Sequence, residues 1–210
     1  MSDKHIDLDR FDSRLAKTYG RRQDKQRHYD DWADSYETDL VDDLDYVAYR
    51  AAGDIFVANF EDRRGSVLDV ACGTGLVGEY LRASGYERVD GADFSRDMLA
   101  RAEQRQVYRA LWQHDFTTPK PLETLYDAPI CVGLFAFGVP GISDLHHVIA
   151  CAAPGGLCVI TVNGAAWRQL KLEPEVYRAA ERHGFRIEQI IEAEYIRRQD
   201  IDARVLLIRR

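Results

Sequence analysis

The stretch "VLDVACGTGLVG", residues 67–78, decides how the rest of the chain is read. Val67, Leu68 and Val70 have the character of a buried strand, and residues 72–75 that of a tight turn. From Leu76 onward "LVGEYLRASG" alternates apolar and polar residues at helical spacing and stops at Gly85. A strand, a glycine turn and a helix in this order aim backbone N–H groups at a bound ligand from a helix N-terminus. Gly73, Gly75 and Gly78 also satisfy the G-x-G-x-x-G spacing of dinucleotide sites. Asp69 argues against a pyrophosphate, because a carboxylate at the strand tip repels an anion in a partly desolvated crevice. The same carboxylate suits a ligand carrying an ammonium, from which it accepts a charge-assisted hydrogen bond.

The 210 residues are enough for one domain with a short extension. Cys72, Cys131, Cys151 and Cys158 form no C-x-x-C pair, and no histidines stand at zinc-ligand spacing, so neither a disulfide framework nor a metal site is expected. A reducing, cytoplasmic setting fits this cysteine usage. No apolar run approaches a membrane span and no cleavable leader is expected. Residues 1–28 hold eight Lys or Arg against five Asp or Glu, so the remainder carries −10 of the total of −7. An acidic body disfavours a broad nucleic-acid footprint, and the basic run "GRRQDKQRH" is taken as a solvated helix surface.

Periodicity predicts a capped amphipathic helix over 8–19, a second helix carrying Tyr29, Trp32, Ala33 and Tyr36 on one face, and a third over 42–60. No linker separates these helices from the first strand, so residues 1–64 are assigned to a helical lid or extension and 65–210 to a core folding with it. Within the core, strands are predicted at 66–71, 88–93, 107–112, 128–134 and 157–163, with helices at 75–84, 95–105 and 142–152. "EPEVYRAAERHG" is a further helix ended by Gly184. "FRIEQIIEAEYI" and "DARVLLIRR", separated by "RRQD", are too close for a helical crossover and form an antiparallel hairpin. The prediction is an α/β, Rossmann-like, doubly wound, mostly parallel seven-stranded sheet with that hairpin at its end.

Ligands of such sheets bind beyond the carboxyl ends of the strands. Asp69, Asp93 in "VDGADFS" and Asp115 in "WQHDFTTP" fall there. Asp93, eighteen residues after Gly75, stands where a carboxylate accepts from ribose hydroxyls. Its structural alternative, a helix cap, belongs better to Ser95. Asp115 with Phe116 suits an adenine amino group and ring; its alternative is a turn acid.

"VLDVACGTG", "GADFSRDML" and "APGGLCVITV" resemble the motifs of class I S-adenosylmethionine-dependent methyltransferases. "YDDWADSYETDL" and "YRAA" are similar to the methyltransferase-like branch linked to the Williams-Beuren syndrome region. The resemblance implies S-adenosylmethionine as cofactor, with Asp69, Gly73 and Gly75 at its methionine end, Asp93 at the ribose, and Asp115 with Phe116 at the adenine. Ala71 replaces the first glycine of the fuller pattern, and Phe94 and Gly133 complete the expected lining. The fourth strand, "APICVGLFAFG", lacks the Asn or Asp followed by Pro-Pro-aromatic sequence of many nucleobase and glutamine methyltransferases, which disfavours an amide or base-amine acceptor; a small-molecule O, N or S acceptor is expected.

His146 and His147 are the candidate general bases by position, with His28 behind them. Tyr36 is a candidate both for catalysis and for the cofactor wall, against simple packing. Arg50 is a candidate partner for the cofactor carboxylate, against an exposed helix arginine. Phe135, Phe137, Trp167, Trp32 and Tyr49 are expected to crowd the same edge. Two other function classes stay open: a nicotinamide-dependent oxidoreductase, and a catalytically silent cofactor-binding or assembly protein. The N-terminal helices are also a candidate homodimer arm.

Overall fold

The computed structural model describes residues 29–118, 120–138 and 140–210. The predicted helix over 8–19, with its dimer-arm role, and His28 lie outside them. Seven strands form one sheet in the order β3-β2-β1-β4-β5-β7-β6: β1 Ser66–Val70, β2 Arg88–Asp93, β3 Leu111–Gln113, β4 Ala128–Phe135, β5 Leu157–Asn163, β6 Arg186–Ile196 and β7 Ile201–Arg209. β1 to β5 are parallel, and β7 runs antiparallel between β5 and β6. This is the predicted Rossmann-like α/β architecture with its C-terminal hairpin.

Helices cover both faces. α1 (Ala48–Asn59) and α2 (Leu76–Ala83) lie on one side, where Phe56, Val77 and Leu81 pack with Val67, Val89, Ile130 and Val159. On the other side α4 (Leu145–Ile149), α5 (Gly164–Leu170) and α6 (Glu173–His183) bring Leu145, Val148, Ala166 and Val176 against Leu68, Val70, Cys131 and Ile160. α3 (Arg96–Gln104) flanks β2 and β3. Two covered faces explain why β1 and β5 are buried along their whole length and carry no alternation.

Caps sit where the local chemistry puts them. Ser95 Oγ accepts from Met98 N at 3.2 Å to start α3. Pro174 occupies the first turn of α6, and Gly184 closes it at φ +73°.

Four boundaries differ from prediction. The helix predicted from 42 starts at Ala48, because Thr38–Asp42 forms a π-turn and residues 44–47 run along the end of β6. Val47 N donates to Tyr195 O at 3.0 Å, and Tyr46 bridges Ile196. The strand predicted from 107 starts at Leu111: Gln106 takes φ +54° and the chain turns Tyr108 inward before pairing begins. The helix predicted over 142–152 divides into a 3-10 turn, Ile142–Asp144, and the short α4. α5 was not predicted; its signal is Asn163, whose side chain accepts from Ala166 N at 3.0 Å as an N-cap.

Gly78, the third glycine of the opening motif, is a packing residue. It lies on α2 against the Tyr108 ring, where a Cβ would collide with that ring. Gly78→Ala is therefore expected to lower stability by about 1–3 kcal/mol, as overpacking does in a well-filled interior; urea denaturation measures it.

Candidate functional site

The site begins where β1 ends. Ala71, Gly73 and Gly75 all take positive φ, at +56°, +54° and +93°, which bends the chain sharply between strand and α2. Glycine adopts this region freely, while alanine bears a left-handed penalty of about 1 kcal/mol or more. A Cβ built on Gly73 would meet nothing within 4 Å, so the turn borders open space that any larger residue would begin to fill.

Asp93, at the end of β2, holds the turn. Its two carboxylate oxygens accept from Gly73 N and Ser95 N, each at 2.9 Å. Burial nevertheless pushes its pKa up to about 6, with the backbone N–H bonds pulling the other way. The side chain borders a mostly apolar cleft that opens to solvent, the kind of place where small ligands bind. Ala71, Gly73, Phe94, Asp115, Phe116, Gly133 and Tyr36 border it too. Asp115 also accepts from Thr117 N and Oγ1, at 2.9 and 2.6 Å, so its turn role and its place on the cavity wall coexist.

Asp69 lies elsewhere. It is 1% exposed and absent from the cavity wall. It accepts from Tyr108 Oη at 2.6 Å and faces the backbone of Gly78. Strand alternation explains this: Asp69 shares the face of Val67, under α2, and not the open end of the strand. Direct contact with a ligand ammonium, expected from its position in the sequence, is not what this placement offers. Among the described residues its Oδ1 meets no hydrogen-bond partner, and desolvation raises its pKa to about 7. Gly75 likewise turns toward Arg105 and Tyr108.

His146, His147 and Arg50 fall outside the cavity. His146 stacks on His183 at 4.0 Å between centroids, and His147 Nδ1 lies 3.2 Å from the Phe116 carbonyl oxygen. Both line a smaller hollow behind Phe116. Helix α4 begins later than predicted and carries them to that side, so neither is placed as a general base. Arg50 is exposed on α1, with its guanidinium over the Tyr49 ring. Phe135, Phe137, Trp167, Trp32 and Tyr49 are core residues.

Wall residues that the sequence reading passed over include Tyr29, Met98, His114, Val132, Leu134 and Pro140. His114 is buried, and desolvation lowers its pKa. Its neighbours Asp115 and Phe116 were the available signal.

The segment from Tyr29 to Glu37 reaches neighbouring elements with alternate faces, and its Tyr29 and Tyr36 border the cavity. Asp30 accepts from Ser95 Oγ, Asp34 pairs with Arg101, and Glu37 pairs with Arg105 at 2.5 Å. Arg105 also donates to Thr74 O at 2.7 Å and pairs with Glu79. On the other face the Tyr29 ring meets Phe94 edge-on at 5.9 Å, and Trp32 meets Tyr36 at 4.9 Å.

The site can be compared with known proteins. Residues 67–156 match the family model described as a methyltransferase domain. Human methyltransferase-like protein 27 is 37% identical over 147 residues, covering 65% of this chain and 57% of that protein. The chain thus spans a little over half the length of this curated relative. Among solved structures, magnesium protoporphyrin IX methyltransferase from Synechocystis, with bound SAM, superposes over 100% of this chain and 98% of its own at TM-score 0.55 and 18% identity. A ribosomal protein L11 methylase from Lactobacillus delbrueckii covers 75% of each chain at TM-score 0.56 and 16% identity. These likenesses are likenesses of fold.

The raised carboxyl pKa of Asp69 has a measurable sign. Its unfolded form ionises near 3.8 and its folded form near 7, so between those values the folded state binds more protons. Stability of the free protein therefore declines as pH rises from about 4 to about 7. Asp69→Asn is expected to flatten that decline in thermal melts, keeping an oxygen to accept from Tyr108.

Proposed function

We propose that the protein is a class I S-adenosylmethionine-dependent methyltransferase with a small-molecule acceptor. In this reading residues 1–64 form its lid and extension, and residues 65–210 form its cofactor-binding core. The observation that carries the reading is the charge of the cavity wall. Beside an open glycine turn stand two carboxylates, Asp93 and Asp115, and no Lys or Arg among the described residues. A dinucleotide pyrophosphate would meet two negative groups there with no counter-charge. A cationic sulfonium ligand with ribose and adenine donors meets acceptors instead. The methyltransferase-domain match over 67–156 points the same way.

The donor set fits that cofactor. Asp93 is placed for the ribose hydroxyls. Asp115 suits the adenine amino group, with Met98, Phe94 and Phe116 as apolar cover. The Ala71–Gly73 backbone is open to the methionine end. Asp69 acts from below, through Tyr108 and the start of α2, as a support of the turn. The cofactor supplies an activated methyl group, so the protein's contribution is alignment, worth up to ~7–11 kcal/mol in favourable intramolecular cases. Tyr36 stays a protonated phenol, because burial raises its pKa well above the ordinary value; it shapes the wall and does not serve as a base.

A cavity roofed by lid rings favours a small acceptor over an extended chain. Four free, buried cysteines suit a reducing, cytoplasmic setting. Among the described residues no helix is long and apolar enough to cross a membrane.

S-adenosylhomocysteine is expected to raise the melting temperature, whereas NAD leaves it unchanged; the reverse result rejects the methyltransferase in favour of an oxidoreductase. Asp93→Ala is expected to weaken S-adenosylhomocysteine binding about 10- to 100-fold in calorimetry, the scale of hydrogen bonds to a charged acceptor. Binding to the wild-type protein is expected to tighten as pH rises through about 6, where Asp93 ionises and accepts from hydroxyls more strongly.

A further inference from the structure

Resting on the methyltransferase reading above, we propose that the methyl acceptor is an amine nitrogen, received by the hydroxyls of Tyr46 and Tyr195 above Gly133. The opening for it is made by β4. The strand loses its register with β5 between Cys131 and Phe135, and Gly133 takes φ +88° within that break. Its N–H turns aside to Thr161 Oγ1 at 2.9 Å. A Cβ at Gly133 would lie 3.2 Å from Tyr46 Oη and 3.6 Å from Tyr195 Oη. Two phenol oxygens thus stand directly over a backbone position that borders the cavity.

These tyrosines reach the same point from distant parts of the chain. Tyr46 comes from the root of the lid and Tyr195 from the end of β6, and the Tyr46–Ile196 bridge joins the two segments. Their rings meet edge-on at 5.4 Å and 87°. Tyr36 and Tyr29 extend the set along the cavity wall, close enough for Tyr36, Tyr46 and Tyr195 to influence one another's ionisation. Tyr29 and Tyr36 thus border the cavity that Asp93 and Asp115 also line, and Tyr46 and Tyr195, largely buried and hydrogen-bonded to each other, stand next to it at Gly133.

The chemistry of that end selects among acceptors. A carboxylate or phosphate would find no Lys or Arg on the described wall and two carboxylates across the cavity. A hydroxyl or thiol acceptor must lose its proton to become a strong nucleophile, and the phenols around it are held protonated by burial. His146 and His147 lie outside the cavity, and His114 stands at the Phe116 wall it shares with the second hollow. An amine, once its ammonium form has given a proton to water, presents a free lone pair and needs no base on the protein. Its lone pair forms the new N–C bond as the methyl–sulfur bond breaks, the sulfur leaves as a neutral thioether, and the resulting ammonium gives its proton to water. Phenol oxygens accept the amine N–H bonds, and ring faces favour the ammonium product.

The test uses the full chain, methyl-labelled S-adenosylmethionine, and amines matched in skeleton to alcohols, thiols and carboxylates. Label is expected in amines. Tyr46→Phe and Tyr195→Phe are each expected to raise the amine KM about tenfold, the scale of one hydrogen bond, with S-adenosylhomocysteine affinity within about twofold of wild type. Preferential labelling of another acceptor class, labelling of no amine, or an unchanged amine KM in both variants overturns the proposal. Any of these alongside intact S-adenosylhomocysteine binding removes only the amine assignment, whereas loss of that binding in the wild-type protein removes the methyltransferase reading itself.

Discussion

The Asp93 carboxylate, accepting at once from Gly73 N and Ser95 N, is the constraint on which the functional edge depends. It ties the turn after β1 to the start of α3. Burying a carboxylate is costly, and backbone N–H donors offset that cost only in part, which is why its pKa still stands near 6. Asp69, one layer deeper under α2, is in the same condition near 7. The free protein holds two acids whose charged forms become fully favourable only with further donors or positive charge nearby. A ligand rich in both meets a site already strained in its favour.

The lid follows from one helical pattern read on two faces. Asp30, Asp34 and Glu37 recur at four and three residues and reach polar partners on and beside α3. Tyr29, Trp32 and Tyr36 recur at three and four and turn rings toward the cavity and the core. Largely exposed ion pairs such as Asp34–Arg101 contribute about 0–1 kcal/mol each, whereas residues 44–47 are hydrogen-bonded to the end of β6. The lid is thus firmly rooted at one end and weakly held along its length, a distribution that suits a cover over a ligand site.

The α/β alternation was legible because each strand is a short apolar run and each turn carries its own glycine or cap; Ser95 and Gly184 sit where their chemistry demands. Boundaries misread from periodicity are those where a side chain turned inward for tertiary reasons. Tyr108 delays β3 by leaving the strand to reach Asp69. Residues 44–47 stay outside the helix because the end of β6 offers hydrogen bonds there. Asp93, Asp115 and Phe116 were readable as wall residues because their place at strand ends follows from topology alone. His146 and His147 were not, since one turn of helix decides which side of Phe116 they occupy.

Residue order by itself determined the sheet class, the glycine turn and the carboxylates at its edge, since these rest on local periodicity and on backbone angles that few residues tolerate. Only the tertiary structure decided which acid borders the cavity. Asp69 and Asp93 both end strands, but pleat direction and the packing of Tyr108 bury the first under α2 and leave the second on the cavity. It also decided the meeting of Tyr46 and Tyr195, which stand about 150 positions apart in the chain and come together only where residues 44–47 pair with the end of β6. Contacts of that range leave no local signature; they come from the closing of the sheet.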